Sequence, residues 1–281
     1  MMRFPAVFRR EQVANMKIQP IGGQTVDDRD NATPSAPVSP LQLYGIRYIE
    51  FLRQLHVHLA PDSYFEIGAD LGESLACAEC DTIVVDPAFR VQGNAAGGRR
   101  QTFFFQMTSD AFFRSNDVRN YFPKGIDLAF LDGMHRIEYL LRDFINTEAA
   151  SHNRSLILLH DCLPLNSRMA RRNFTLGDTD EGELAHSWTG DVWKIIPILK
   201  EYRPDLRVHV LDCPPTGLVA VSRLDPSSTA LSGAYHEILD KFGDCSLDSY
   251  GLQRLWGEHR LVDSRSLVDL PEKLTALFSV I

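Results

Sequence analysis

Four carboxylates, two histidines and a glycine turn are the residues whose types and spacing could do chemistry here. Tyr64-Phe65-Glu66-Ile67-Gly68-Ala69-Asp70-Leu71-Gly72-Glu73-Ser74 is an apolar run that ends in a carboxylate, a glycine turn and small residues. Thr82-Ile83-Val84-Val85-Asp86-Pro87 is a second apolar run, ending in another carboxylate. Glycines at a strand-to-helix turn let a ligand approach the backbone. An acidic residue about 20 positions on, at the end of the next strand, suits a ribose diol. Glu66 stands just before the first glycine, where it would repel a pyrophosphate and suit a ligand that is cationic at that point. Further on, Leu131-Asp132-Gly133-Met134-His135 and His160-Asp161-Cys162 place polar groups directly after apolar strands. Such groups are costly there unless paired or used.

On these residues the chain resembles the class I S-adenosylmethionine (SAM)-dependent methyltransferases. The resemblance is to the branch with a Glu-x-Gly-x-x-x-Gly loop, which includes small-molecule O-methyltransferases and proteins related to the cephalosporin-hydroxylase group. It runs roughly from Leu41 to Asp225. It implies an α/β, Rossmann-like class I methyltransferase fold: a mostly parallel seven-stranded sheet with helices on both faces and the final strand inserted antiparallel. It also implies SAM as cofactor. The candidate cofactor-binding residues are Glu66, Gly68, Gly72, Ser74, Asp86, Ser109, Asp110 and Asp132.

Methyl transfer from a sulfonium is an in-line displacement, so the protein must position the acceptor and remove its proton. Asp132 and His135 are the catalytic candidates, with His135 as general base or acceptor-positioning group. The other route is a divalent cation that acidifies a hydroxyl. Metal-dependent relatives hold magnesium with acids after the fourth and fifth strands, and Asp132 and Asp161 match those positions. His160 departs from that pattern. Asp132, His160 and Asp161 are the metal candidates, with manganese, zinc or no metal left open because magnesium prefers oxygen ligands. The bland alternative makes these residues helix caps and turns.

The elements that must position these groups alternate along the chain. Strands are expected over Ser63–Ile67, Thr82–Val85, Thr102–Gln106, Asp127–Leu131, Ser155–His160, Val208–Asp212 and Leu218–Ser222. A helix is expected from Arg136 to Ala149, and another from Asp191 to near Arg203, with Pro197 kinking it or shifting its boundary. Alternation of this kind argues for a parallel sheet. Ser39-Pro40 reads as the start of a further helix carrying Leu41, Tyr44, Tyr48, Phe51 and Leu55 at helical spacing. Cys77 and Cys80 are expected as packed thiols on a helix after the glycine loop, since no second ligand pair exists for zinc. Leu163 to Thr189 is long enough to be a lid or a disordered segment. Trp188 and Trp193 beside it are acceptor-pocket walls or core aromatics.

Three parts are expected: a poorly ordered leader over 1–38, a SAM-binding domain over 39–225 and a helical extension over 226–281 packed on the same domain. Ala230–Phe242 and Leu270–Val280 are the helical candidates in the last part, which could cap the sheet edge or form a homo-oligomer contact. Met16 is an alternative start. With 281 residues and net charge -8, the chain lacks the basic face that a nucleic-acid partner wants. Arg168, Arg171 and Arg172 form a local patch, read as a solvated loop or an anion contact. No apolar run reaches the roughly 20 residues that span a bilayer, and the first residues do not read as a signal peptide. A cytoplasmic location and no membrane partner are the defaults.

The expected activity is O-methylation of a small-molecule hydroxyl, on a sugar or secondary metabolite. The rivals are a nucleotide-dependent oxidoreductase on a similar fold and a non-catalytic SAM-binding scaffold.

Overall fold

The computed structural model describes residues 41–173, 187–269 and 271–278. The expected leader, Ser39-Pro40 and the middle of the expected lid lie outside them.

Seven strands form one sheet: β1 (Ser63–Ile67), β2 (Asp81–Val85), β3 (Thr102–Phe105), β4 (Ile126–Leu131), β5 (Ser151–His160), β6 (Arg207–Leu211) and β7 (Leu218–Ser222). The order is β3-β2-β1-β4-β5-β7-β6. β7 runs antiparallel to β5 and β6, and the other pairs are parallel. The α/β class, the seven strands and the antiparallel insertion are therefore as expected. The order reverses at β1, whose neighbours are β2 and β4, and the carboxyl ends of these strands open a crevice there.

Side chains alternate across each strand, so the sheet has two packed faces. Phe65, Ile67, Ile83, Val85, Ala129, Leu131, Ile157 and Leu159 meet α2 (Ser109–Ser115), α3 (Ile137–Ala150) and α4 (Ile195–Tyr202). In α3, Ile137, Leu140, Leu141 and Phe144 are buried, as their spacing predicts. Pro197 falls in the first turn of α4, which shifts the boundary as the sequence allows. Tyr64, Leu128, Phe130, Leu156 and Leu158 meet α1 (Tyr48–Leu59) on the other face.

The C-terminal helices divide between the two faces. α5 (Ala230–Gly233), α6 (Tyr235–Phe242), α7 (Leu247–Tyr250) and α8 (Leu252–Gly257) join the first, while α9 (Ser264–Asp269) and α10 (Pro271–Phe278) join α1 on the second. None of the described helices is long and apolar enough to cross a membrane.

Two expectations are corrected. Helix α1 begins at Tyr48, not near Ser39, and Tyr44 is exposed. The glycine loop is followed by one 3₁₀ turn, Leu75–Cys77, instead of a helix. Gly68, Asp70 and Gly72 all take positive φ, which stops helix propagation before it starts. Arg99, from the loop before β3, then donates to the carbonyls of Leu75 at 2.9 Å and Ala78 at 2.8 Å. Those bonds satisfy carbonyls that a longer helix would have paired. Cys77 lies on this turn and Cys80 just after it, both free, with burial first in pushing the thiols up to about 11 and about 12.

Candidate active site

A cavity of about 840 Å³ lies at the carboxyl ends of β1, β2, β4 and β5. Gly68, Ala69, Asp70, Ser74, Asp86 and Ser109 line it on the β1–β3 side. Tyr48, Asp132, His135, His160 and Asp161 line it on the β4–β5 side.

Gly68 makes this crevice possible. Its φ is +84°, and a Cβ there would collide with the carbonyl oxygen of Asp132. Its N–H donates to the Val85 carbonyl at 2.9 Å, while the Asp132 N–H donates to Ile67 at 2.9 Å. The ends of β1, β2 and β4 are thereby tied together under the cavity floor.

Asp86 is bound to the same loop. One carboxylate oxygen accepts from the N–H groups of Ala69 at 2.9 Å and Asp70 at 3.2 Å, and the other from Ala88 at 2.7 Å. A carboxylate has about four acceptor positions, so Asp86 holds the turn and keeps capacity toward the cavity.

Asp132, His135, His160 and Asp161 converge on one locus. His135 Nδ1 lies 2.8 Å from the Trp188 carbonyl oxygen, which can only accept. Its Nε2 therefore faces Asp161 at 3.2 Å and Asp132 at 3.4 Å. His160 Nδ1 lies 3.2 Å from Asp132 and 3.5 Å from Asp161, and its ring packs 3.9 Å from that of Tyr48. Neither His160 ring nitrogen has a hydrogen bond among the described residues. Asp161 takes a φ of +58° and accepts a hydrogen bond from the Thr216 hydroxyl.

These groups shift one another. Burial acts against the charged form of His135, yet Asp161 and Asp132 raise it to about 9. Burial likewise opposes charge on His160, and the same two carboxylates raise it. Burial works to raise Asp132, but His160 and His135 hold it below the ordinary carboxylate range. The Tyr48 phenol is raised by burial and then by Asp132 and Asp161.

One ligand atom each from Asp132, His135 and Asp161 lies within 4.8 Å of the others, a grouping able to hold a cation. The metal candidates Asp132 and Asp161 are thus brought together. His135 is the imidazole whose nitrogen completes the grouping; His160 lies beside it.

Three predicted cofactor residues, Glu66, Gly72 and Asp110, lie outside the cavity lining, and Ser74 lies in it. Glu66 is fully buried on the α1 side of the sheet, outside the cavity lining, and accepts from Ser74 Oγ at 2.7 Å. Alternation along β1 puts it there, opposite Phe65 and Ile67. Ser74 lines the cavity with its hydroxyl turned back to Glu66. Gly72 packs on Val91 outside the lining. Asp110 also lies outside the lining, held by Arg142 Nε at 2.8 Å and Nη2 at 2.7 Å. Of the two tryptophans, Trp188 lines the cavity and Trp193 is fully buried core. Arg172 pairs with Glu138 and Asp191, which removes it from the basic patch.

Three contributors carry no local signal. Tyr48 reads as one more apolar helix position. Thr216 lies in a proline-rich turn far from Asp161. Asp191 accepts from the Ile137 N–H at 2.8 Å and so caps α3 from another part of the chain.

No family model matches the chain, and no curated protein matches it. Among solved structures, it is similar to the methyltransferase PaMTH1 of Podospora anserina with S-adenosylhomocysteine (SAH) bound, at 12% identity and TM-score 0.44, over 63% of this chain and 78% of that one. It is similar to an O-methyltransferase of Bacillus cereus in complex with SAH, at 13% and 0.40, over 62% and 80%. It is also similar to the O-methyltransferase TomG of Streptomyces achromogenes, at 10% and 0.44, over 63% and 80%. Likeness at this level fixes neither activity nor substrate.

Proposed function

We propose that this chain is a SAM-dependent methyltransferase acting on a hydroxyl of a small molecule, such as a sugar or secondary metabolite. One observation carries the reading. A single cavity joins the Gly68 turn and Asp86 to the cluster of Asp132, His135 and Asp161. The first group suits a nucleoside with a diol, and the second suits an acceptor that must lose a proton.

The residues fit both absent groups. A side chain at position 68 would fill the space above the Asp132 carbonyl, and glycine leaves it open. Asp86 retains acceptor capacity for a ribose. Asp132, Asp161 and His135 Nε2 form a mixed oxygen and nitrogen set that would hold a divalent cation. Bound SAM would supply a methyl carbon open to in-line displacement, and a bound cation would acidify a hydroxyl.

The chain's own groups then have defined tasks. The Trp188 carbonyl fixes the His135 ring so that Nε2 faces the two carboxylates. In the absence of a cation this ring holds its proton at neutral pH, because Asp161 and Asp132 raise it to about 9 against the effect of burial. It can take the acceptor's proton only after giving up its own. The carboxylates receive the hydroxyl's hydrogen bond and orient its oxygen. Tyr48, Met134 and Trp188 wall the cavity around that point.

Titration calorimetry with SAM, followed by detection of SAH over a panel of hydroxylated acceptors, tests the reading. A folded protein that binds NADH and not SAM would transfer the site to an oxidoreductase. Binding of SAM without turnover on any acceptor favours the scaffold.

A further inference from the structure

Asp191 makes more contacts than a helix cap requires. Its side chain is 3% exposed and lies outside the cavity lining. Its Oδ1 accepts from the Ile137 N–H at 2.8 Å. Its Oδ2 accepts from Lys194 Nζ at 2.8 Å and from Arg172 Nη1 at 2.9 Å. One cation is enough to pair a buried carboxylate, and Lys194, itself buried, supplies it. Arg172 is a second cation, and its guanidinium also reaches both carboxylate oxygens of Glu138 in the first turn of α3. Arg172 thereby clamps the start of α3 to Asp191.

The segment that carries Asp191 also holds His135. The Asp191 N–H donates to the His135 carbonyl at 3.2 Å, and the Trp188 carbonyl faces His135 Nδ1 at 2.8 Å. This segment is laid in turn against residues 169–172. The Met169 carbonyl accepts from the N–H groups of Thr189 at 3.0 Å and Gly190 at 3.2 Å, and the Arg171 carbonyl accepts from Trp188 Nε1 at 2.6 Å. Residues 135–138, 169–172 and 188–191 are thus adjoining runs, and the Asp191–Arg172 pair joins all of them. A shift of one run would take the Trp188 carbonyl away from Nδ1 and free the His135 ring to turn.

We infer that Asp191 and Arg172 are positioning residues for His135, acting through the Trp188 carbonyl and the start of α3. Under the methyltransferase reading, on which this rests, the pair sets the aim of Nε2 and leaves binding alone, because neither side chain lines the cavity. Misplacing a reacting group by about 1 Å can cost on the order of 10²-fold in rate.

Asp191→Asn separates this role from capping alone. The amide oxygen can still accept from Ile137, but the amide N–H groups would face Lys194 and Arg172, which also only donate. Arg172→Gln removes the outer cation, whose side chain is 40% exposed, and leaves Asp191 paired with Lys194. Arg172→Lys keeps the charge and loses the fork. With SAM and a working acceptor, kcat is expected to fall roughly tenfold or more in Asp191→Asn and Arg172→Gln and to recover partly in Arg172→Lys. Acceptor KM, and SAM affinity by calorimetry, should stay unchanged. Arg172→Gln decides alone if Asp191→Asn does not fold. A second readout needs no acceptor. The Trp188 ring packs 5.1 Å from that of His135. Its indole N–H signal in magnetic resonance spectra of protein with isotope-labelled tryptophan, assigned by its loss in Trp188→Phe, should move in Arg172→Gln by more than those of Trp193 and Trp256. An unmoved Trp188 signal, or wild-type kcat in Arg172→Gln, would overturn the inference and leave the methyltransferase reading standing. Wild type that neither binds SAM nor turns it over would remove that reading, and the Trp188 signal would then decide the link to His135 by itself.

Discussion

His135 Nδ1 faces the carbonyl oxygen of Trp188 at 2.8 Å, and this contact decides what His135 can do. A carbonyl has no proton to give, so Nδ1 carries the hydrogen in every protonation state. Only Nε2 is left for chemistry, and it points at Asp161 and Asp132.

Replacing the ring should therefore reach the chemical step directly. His135→Ala is expected to lower turnover on the order of 10²-fold, with SAM affinity retained by calorimetry. Undiminished SAH release by this variant on a working acceptor would rule His135 out of the reaction.

The backbone behind this ring has little room. Gly190 takes a φ of +57°, and a Cβ there would collide with the His135 carbonyl oxygen. Gly190→Ala combines left-handed strain with that clash, each costing on the order of 1 kcal/mol or more. A lower melting temperature together with reduced turnover is expected. A variant as stable and active as the wild type would contradict the close approach.

Cation binding at Asp132, His135 and Asp161 should select manganese or zinc over magnesium, since imidazole is a poor magnesium ligand. A cation must displace the proton on His135 Nε2. With that group raised to about 9, affinity should rise as pH goes from neutral toward 9. Calorimetry of each metal alone on the wild type and Asp161→Asn checks this. Full activity after exhaustive chelation would exclude the metal and leave proton removal to the side chains.

Asp86 has two tasks in the structure, so its loss should show twice. Asp86→Ala removes acceptors from three backbone N–H groups and from a bound ribose. Each lost charge-assisted bond costs about 1.5–3 kcal/mol. The variant should melt at lower temperature and bind SAM at least roughly tenfold more weakly. Unchanged SAM affinity would mean that the ribose lies elsewhere.

Glu66 links stability to pH. Burial pushes its carboxyl up to about 7, against the Ser74 hydrogen bond that favours the ionised form. From pH 4.5 to about 7 the unfolded chain has released this proton and the folded chain has kept it. Stability therefore falls as pH rises through that window, by on the order of 3 kcal/mol from this group. Asp143, raised to about 7 chiefly by burial, adds in the same direction. Glu66→Gln should flatten part of the fall in urea titrations at several pH values. An identical slope in wild type and variant would show that Glu66 ionises normally.

The sequence by itself determined the seven strands, because apolar runs bounded by turn residues have one stable use in an alternating chain. It also determined which polar residues end those strands, and hence that Gly68, Asp86, Asp132, His135, His160 and Asp161 share a mouth. Strand ends are local properties, and a parallel sheet gathers them at one edge. Tertiary structure decided which way each side chain points and what it meets. The pleat turns Glu66 to the α1 side of the sheet, although its position beside Gly68 suggests a ligand contact. Arg142 takes Asp110 out of the cavity from a different helix. Three positive φ values and the distant Arg99 replace an expected helix with one turn. His135, and not His160, completes the grouping with Asp132 and Asp161, and the Trp188 carbonyl holds its other nitrogen. Each of these outcomes depends on a partner far away in the chain. Periodicity and spacing report neighbours along the sequence, whereas hydrogen bonds and charges act between neighbours in space.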